Sequence, residues 1–365
     1  MRTRVLLLGP DRGVISGVST HLNLLFGSEL ARRFDLRHFQ IGSEGRQERW
    51  LGKLARMLAS PFQLAAAFAR TGAEILHVNT SLSPKSYWRD LMYVAVAKLY
   101  GARVVYQLHG GSAADLWKPV LRATLRWPDV VVALGRWEVD EIRALAPEQN
   151  VVLVPNAIDC APFLQLRRPA AQAKAPLRLV HIGRLIRAKG VFEAVEGLAL
   201  ARQQGVAAHL VIAGDGPALA GLREAVERLG LSAQVTFAGP TFDEAKVKLL
   251  AESDVLVFPT YHREGLPYAL LEAMAAGLVP ITTRVAAIPD VVAEGVHGLF
   301  VPPRDPQAIA QAIITLDADR GSLARMGAAS RERVLAAYSI GRLADDFAAL
   351  YSSLRRASVA PRTAS

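Results

Sequence analysis

The sequence predicts an α/β protein of two Rossmann-like domains, each a parallel sheet covered by helices on both faces. Short runs rich in leucine and β-branched residues alternate with longer amphipathic segments, which is typical of parallel sheets. This alternation starts a second time near the middle of the chain. With 365 residues, 51% of them hydrophobic, the chain is long enough to bury two cores.

The predicted strands follow each other in two series of six. The first series is Arg4–Leu8, Leu36–Ile41, Glu74–Val78, Arg103–Leu108, Val130–Leu134 and Val151–Val154. The second series is Leu177–Ile182, His209–Ala213, Gln234–Ala238, Val255–Phe258, Val279–Thr282 and Gly298–Val301. Three helices are predicted after the last strand, at Pro306–Leu316, Ser322–Ala337 and Ile340–Leu354.

These series predict the domain organisation. The predicted parts are an N-terminal domain 1–160, a Pro/Ala/basic linker 161–176, a C-terminal domain 177–338, a helix 339–356 that packs back toward the first domain, and a disordered tail 357–365. Ligands of open α/β sheets bind beyond the carboxyl ends of the strands. We therefore expect the functional motifs at a cleft that both domains face.

Basic residues are concentrated in the first third of the chain. Met1–Arg126 holds 18 Lys and Arg against 8 Asp and Glu, whereas the remainder is balanced. This asymmetry indicates a polyanionic partner, either nucleic acid or anionic lipid headgroups. The only cysteine, Cys160, cannot form an internal disulfide or a thiolate metal cluster, which fits a reducing cytoplasm. No apolar run is long enough for a transmembrane helix, and the N-terminus does not resemble a signal peptide.

The segment Arg46–Arg70 favours lipid. It combines apolar residues at helical spacing, including Trp50, with interleaved cations, which is the pattern of an interfacial amphipathic helix. The pair Ser60-Pro61 predicts the start of a second short helix. The alternative is an ordinary surface helix whose apolar stripe packs on the core.

A basic loop follows the first strand of the second domain. The sequence Gly183–Gly190 carries Arg184 and Lys189 ahead of an amphipathic helix. A planar guanidinium fork and a compact ammonium suit the charges of a diphosphate.

The stretch from Phe258 to Gly277 carries two glutamates around a helix start. Glu264 lies in a tight loop, and Pro267 predicts the first helical turn. The amides of Gly265 and Leu266 are then expected to face the cleft, ready for an anion or sugar hydroxyls. Glu272 lies one and a half turns into an apolar helix, where ribose hydroxyls are one partner and a plain surface position is the alternative.

Together these motifs resemble the retaining family-4 glycosyltransferases of GT-B fold, the glycosyl transferases group 1. The resemblance rests on four ordered motifs: the GRLxxxKG loop from Gly183, the turn Gly214–Pro217, the pair Glu264-x7-Glu272, and the segment Gly298–Pro303 after Ala287–Asp290. It implies that Glu264 contacts the transferred sugar and Glu272 the donor ribose. It further implies that Arg184 and Lys189 hold the diphosphate.

The first half matches this family more loosely. Its opening loop leads from the first strand into a helix and carries Ser16-Gly17 where relatives often have two glycines, so only Gly17 is assigned to donor binding. His109, ahead of Gly110-Gly111, resembles the family's active-site histidine, and a neutral imidazole can accept a hydrogen bond from a sugar hydroxyl. His77 and Asn79 are expected to shape the acceptor pocket.

The expected activity is hexose transfer from a UDP-, GDP- or ADP-sugar, after domain closure, to a lipid-linked or polysaccharide acceptor of the bacterial envelope. Cations take the place of a metal, no cofactor is expected, and the protein is expected at the inner face of the cytoplasmic membrane. A dehydrogenase is disfavoured because neither domain opens with G-x-G-x-x-G. A noncatalytic lipid- or nucleic-acid-binding protein on a GT-B scaffold is the other alternative, but no nucleic-acid module is recognisable, so no nucleic-acid partner is expected.

Overall fold

The computed structural model describes residues 2–42, 49–82, 84–111, 118–166, 175–263 and 265–359. These residues form two compact units. Unit 1 comprises Met1–Ala157, Arg263–Leu266 and Ile340–Ser365, and unit 2 comprises Ile158–His262 and Pro267–Ser339. Each unit is built on a six-stranded parallel sheet, so the predicted fold class is confirmed.

The described residues of unit 1 begin with six strands and six helices, which alternate except that two helices follow the first strand. Its strands are β1 Arg4–Gly9, β2 Asp35–Gln40, β3 Ile75–Leu82, β4 Arg103–Gly111, β5 Val130–Ala133 and β6 Val151–Leu153. Its helices are α1 Gly17–Gly27, α2 Leu30–Arg33, α3 Trp50–Thr71, α4 Pro84–Leu99, α5 Lys118–Thr124 and α6 Arg136–Leu145. The sheet order β2-β1-β3-β4-β5-β6 changes direction between β1 and β3.

Both faces of the unit 1 sheet are buried. In β1, Leu6 and Leu8 belong to one apolar cluster, whereas Val5 and Leu7 belong to another. All four side chains are at most 2% exposed. A strand covered on both faces has a continuous apolar run, which is why β1 could be recognised in the sequence.

Helix α3 corrects the prediction that a second helix starts at Ser60-Pro61, because one helix passes through both residues. Proline has no N–H to donate to the carbonyl four residues earlier, that of Met57. The Ser60 hydroxyl donates to this carbonyl instead, at 3.3 Å, and accepts from the Tyr93 hydroxyl at 2.8 Å. The side chain of Ser60 thus supplies the hydrogen bond that the proline removes.

Unit 2 repeats the alternation. Its strands are β7 Leu177–Ile182, β8 Ala208–Ala213, β9 Val235–Gly239, β10 Val255–Phe258, β11 Val279–Thr282 and β12 Leu299–Phe300. Its helices are α7 Ala161–Leu164, α8 Val191–Gln203, α9 Leu219–Arg228, α10 Asp243–Ala251, α11 Tyr268–Ala275, α12 Ile288–Val291, α13 Pro306–Ala318 and α14 Arg320–Ala337. A 3-10 turn, Arg187–Lys189, precedes α8, and the sheet order is β12-β11-β10-β7-β8-β9.

The last helix, α15 Ile340–Val359, belongs to unit 1. Its residues Leu343, Phe347 and Tyr351 are buried in the same cluster as Val5. The helix runs past residue 357, where a disordered tail was expected, because no helix breaker precedes Pro361. Residues 360–365 lie outside the described part.

All twelve strands among the described residues lie where the sequence predicts them, three with identical bounds. The linker prediction 161–176 includes the short helix α7, and its residues 167–174 lie outside the described part. Within the described ranges, no helix has the length and apolar character needed to cross a membrane.

A buried carboxyl group connects α6 to the end of β4. Glu138 is 2% exposed, and its Oε2 accepts a hydrogen bond from the Leu134 N–H at 2.6 Å. Burial raises the pKa of Glu138 to about 7, although backbone hydrogen bonds, including one from Gly110, oppose the shift. The folded protein therefore holds a proton on Glu138 at a pH at which the unfolded chain has lost it.

This difference predicts a pH-dependent stability. Because the folded pKa is raised, the contribution of Glu138 is fully present below its unfolded pKa and is lost as pH rises through about 7. The loss is on the order of 3 kcal/mol. We expect the thermal midpoint of the wild type to fall between pH 5 and pH 8 relative to that of Glu138→Gln.

The matched control is Glu224→Gln, which removes an exposed carboxylate from α9. It should follow the wild type at every pH. Midpoints of wild type and Glu138→Gln that change in parallel across this range would contradict the assignment.

Candidate functional site

A glycine turn holds the predicted basic loop at the carboxyl end of β7. Gly214 has φ +148°, and a Cβ atom there would lie 1.9 Å from the Gly183 carbonyl oxygen. A Cβ atom at Gly216 would lie 2.4 Å from the Leu185 carbonyl oxygen. The Leu185 N–H donates to the Asp215 carbonyl at 2.8 Å. Only glycine permits this approach of two backbones, so the turn after β8 determines the path of the loop that carries Arg184.

The two cations of this loop differ in exposure. Arg184 is exposed, whereas Lys189 is 8% exposed. The Lys189 Nζ lies 5.1 Å from the centre of the Phe258 ring, over its face. A buried ammonium on an aromatic face is held in position, and an exposed guanidinium is accessible to a ligand. The pair can therefore supply one fixed and one adaptable positive charge.

The loop after β10 packs directly on the basic loop. The Ala188 carbonyl accepts hydrogen bonds from the N–H groups of Tyr261, at 2.9 Å, and His262, at 3.1 Å. Gly190 has φ +75°, and a Cβ there would lie 2.2 Å from the Pro259 carbonyl oxygen. The strands β7 and β10 are adjacent, and the sheet order changes direction between them. Such a switch point is where open α/β sheets bind ligands.

Helix α11 begins at this switch point. Pro267 is its N-cap, so the first-turn N–H donors are those of Tyr268 to Leu270. One turn further, the Glu272 carboxylate accepts a hydrogen bond from the Lys246 ammonium at 2.6 Å. Burial raises the pKa of Glu272, and Lys246 opposes this shift. The helix start suits an anion, and Glu272 can accept from hydroxyl groups.

Two of the predicted amide donors precede this helix. Gly265 and Leu266 are buried and belong to unit 1, and the Leu266 carbonyl accepts from the Asn156 Nδ2 at 2.7 Å. Glu264, the predicted contact to the transferred sugar, lies outside the described residues. The donors of the helix start are therefore one turn later than the sequence predicts.

In unit 1, His109 is partly buried and lies inside β4, which continues to Gly111. The Asn79 Nδ2 donates to the Leu8 carbonyl at 3.0 Å, so the Asn79 Oδ1 is the acceptor that faces the His109 Nε2 at 2.9 Å. Burial lowers the pKa of His109 well below its usual value, and the imidazole is neutral. Its proton is then on Nε2, and Nδ1 is the basic nitrogen.

The prediction that His77 shapes the acceptor pocket is wrong. His77 is fully buried, with Nδ1 2.6 Å from the Tyr351 hydroxyl and Nε2 2.9 Å from the Gln107 Oε1. Because β3 continues to Leu82, His77 lies within the strand and not at its end. His21 is also fully buried and packs edge-on against His109, with 4.9 Å between the centres of the two rings. The two buried imidazoles thus belong to the core on the inner side of His109. Burial lowers the pKa of His77 to about 3 and that of His21 to about 4.

The loop between β1 and α1 leads to an exposed Gly17, the first residue of α1. The Ser16 side chain caps the helix and accepts from the Ser19 N–H at 3.1 Å. Ser16 thus uses one of the first-turn donors that a phosphate would otherwise take. Sequence reasoning missed three supporting residues, Lys246, His21 and Glu138, whose partners are distant in sequence or buried in the core.

Two family descriptions match most of the chain. Residues 164–333 match "Glycosyl transferases group 1", and residues 27–162 match "Glycosyltransferase Family 4". The second match lies within unit 1 apart from its last five residues, 158–162, and the first lies within unit 2 apart from 263–266.

Two curated relatives are similar over most of their length. The GDP-mannose-dependent α-(1-6)-phosphatidylinositol monomannoside mannosyltransferase of Mycobacterium tuberculosis is 32% identical over 270 residues, 68% of this chain and 69% of the relative. The N-acetyl-α-D-glucosaminyl L-malate synthase of Bacillus anthracis is 28% identical over 313 residues, 82% of this chain and 80% of the relative.

Solved structures share the fold. A sucrose-phosphate synthase from Thermosynechococcus elongatus superposes with a TM-score of 0.77 at 20% identity, covering 98% of this chain and 100% of that chain. Anabaena HepE in complex with UDP-glucose gives 0.73 at 18% identity, covering 96% and 99%. With these matches, the chain belongs to the glycosyl transferases group 1 and has the GT-B fold.

Proposed function

We propose that this glycosyltransferase moves a hexose, with retention of anomeric configuration, from a nucleotide-diphosphate sugar to a lipid-linked or polysaccharide acceptor of the bacterial envelope. The observation that carries the proposal is the packing of the loops after β7 and β10, which hold Arg184, Lys189 and the start of α11 at one switch point. The names of relatives support the acceptor class, since one is a phosphatidylinositol monomannoside mannosyltransferase and another is named a putative colanic acid biosynthesis glycosyltransferase.

The donor is assigned to unit 2. As the anomeric carbon exchanges its bond to the diphosphate oxygen for a bond to the acceptor oxygen, negative charge develops on the diphosphate, whose departing oxygen takes the proton of the acceptor hydroxyl. Arg184, Lys189 and the N–H groups at the start of α11 stabilise that charge, so no metal ion is required. Glu272 accepts from ribose hydroxyls, and Glu264 contacts the transferred sugar.

Unit 1 holds the acceptor. The neutral His109 presents an unprotonated Nδ1, which can accept a hydrogen bond from a sugar or acceptor hydroxyl. Asn79 fixes the tautomer, and Glu138 holds the Gly110 backbone next to the imidazole. Gly17, the first residue of α1, is kept as a proposed phosphate-binding residue through its backbone N–H.

The donor assignment predicts selective nucleotide binding. In thermal-shift and hydrolysis screens against UDP-, GDP- and ADP-sugars, we expect one nucleotide to stabilise the protein. Lys189→Met and Glu272→Gln should each weaken that nucleotide's affinity roughly ten- to hundredfold, because each removes charged hydrogen bonds. With an acceptor, the product should keep the donor's anomeric configuration in its proton NMR spectrum, and EDTA should not reduce turnover.

Arg187→Ala is the matched control, since this cation lies in the same loop but packs over the Phe192 ring. It should bind the nucleotide like the wild type. If no nucleotide stabilises the protein, a noncatalytic lipid- or nucleic-acid-binding role becomes the better explanation.

We also propose peripheral binding to anionic membrane, at the inner face of the cytoplasmic membrane, through the basic N-terminal part. In α3, Trp50, Leu51, Leu58 and Phe62 are between 61% and 77% exposed. Further along the helix, Leu64 and Phe68 are buried in the unit 1 core, as in an ordinary surface helix. The packing of α3 accounts for the buried residues only, and a lipid interface accounts for the exposed ones.

Sedimentation with phosphatidylglycerol vesicles tests this proposal. Trp50→Ala combined with Phe62→Ala should weaken vesicle binding at least about tenfold, because two large apolar side chains no longer enter the interface. Leu99→Ala combined with Trp127→Ala, also exposed in unit 1 but outside α3, is the control and should bind normally. Equal losses in both pairs, or salt-sensitive retention on DNA without vesicle binding, would exclude α3 as a membrane contact.

A further inference from the structure

A pocket of about 420 Å³ lies at the carboxyl end of the unit 1 sheet. It is lined by Pro10, which follows β1, by Asn79–Ser81 in the last part of β3, and by residues from α3 and α4. The sheet order changes direction between β1 and β3. His109 also lines it. The pocket is therefore where the fold of unit 1 is expected to bind a ligand.

The charged lining of this pocket has one sign. Lys53 and Arg56 enter from α3, three positions apart, and Arg89 enters from α4. None of the described residues in the lining is acidic. Three positive charges around one small cavity favour an anion, and a phosphate can accept from all three.

One of these cations, Arg89, forms an ion pair with a buried carboxylate. The Arg89 Nε donates to the Asp90 Oδ1 at 2.7 Å, and Asp90 is fully buried, with its other oxygen bonded to the Thr80 hydroxyl. That bond uses one of the five N–H donors of the guanidinium. The buried pair thus fixes the orientation of Arg89 at the pocket wall.

The same cavity holds the groups that would receive an acceptor hydroxyl. Asn79, Ser81 and His109 line it together with the three cations. We propose that this pocket binds the acceptor through a phosphate group, with Lys53, Arg56 and Arg89 as its ligands and the reacting hydroxyl toward His109. This inference rests on the proposed function and specifies its acceptor as a phosphate ester.

Calorimetric titration with glycerol 3-phosphate, and with glycerol as the uncharged comparison, tests the pocket without a sugar donor. Wild-type protein should bind the phosphate ester and not glycerol. Lys53→Gln with Arg56→Gln should weaken binding at least about tenfold, since two charged contacts are lost. Arg89→Lys is the second variant, because it keeps a cation beside Asp90 but loses the planar fork.

Arg70→Gln is the matched control, an exposed cation at the end of the same helix, and should bind like the wild type. Dihexanoyl phosphatidylglycerol, used below its micelle concentration, identifies the source of the phosphate. Tighter binding than that of glycerol 3-phosphate indicates a lipid headgroup, and equal or weaker binding indicates a soluble ester.

Nucleotide binding by the wild type is measured in parallel. Nucleotide binding without phosphate-ester binding, or equal losses in the Arg70 control, would overturn the inference and leave the proposed function intact. Phosphate-ester binding that depends on the three cations, without nucleotide binding, would support the pocket and count against the proposed function.

Discussion

The close approach of two backbones at the carboxyl end of the unit 2 sheet determines the donor site. The turn Gly214–Gly216 lies so near to Gly183 and Leu185 that a methyl group would overlap a carbonyl oxygen at either glycine. Gly190 meets the Pro259 carbonyl in the same way on the other side of the loop. These contacts hold the basic loop between the turn after β8 and the loop after β10. The positions of its charges therefore follow from backbone packing, before any ligand is bound.

In unit 1, side-chain contacts connect the last helix to His109. Helix α15 returns from the end of the chain, and the Tyr351 hydroxyl contacts the His77 imidazole, which in turn contacts Gln107. His21 packs between this core and His109. Burial keeps the imidazoles of His109, His77 and His21 neutral. His109 can therefore act as a hydrogen-bond acceptor, and neither of the other two histidines places a positive charge next to it.

The strands could be predicted because buried parallel strands have continuous apolar runs, as β7, β10 and β11 do. Contacts between residues distant in sequence could not be predicted. Lys246 lies 26 positions from Glu272, and no periodic pattern in the sequence indicates that the two side chains meet. His77 was misassigned because its two ring nitrogens contact Tyr351 and Gln107, which are distant from it in sequence. At Pro61 a local rule failed, since the Ser60 hydroxyl replaces the lost backbone donor. Tertiary contacts decided the cases of Lys246 and His77, whereas a hydrogen bond within one helix decided that of Pro61.

We propose that a nucleoside diphosphate binds at the switch point of the unit 2 sheet. Hydrogen exchange followed by mass spectrometry, with and without the nucleoside diphosphate that binds, tests this assignment. We expect added protection in peptides that cover Gly183–Val191 and the first turn of α11, with little change in α9 or α13. Protection confined to the loop between β1 and α1, or spread evenly over unit 2, would contradict it.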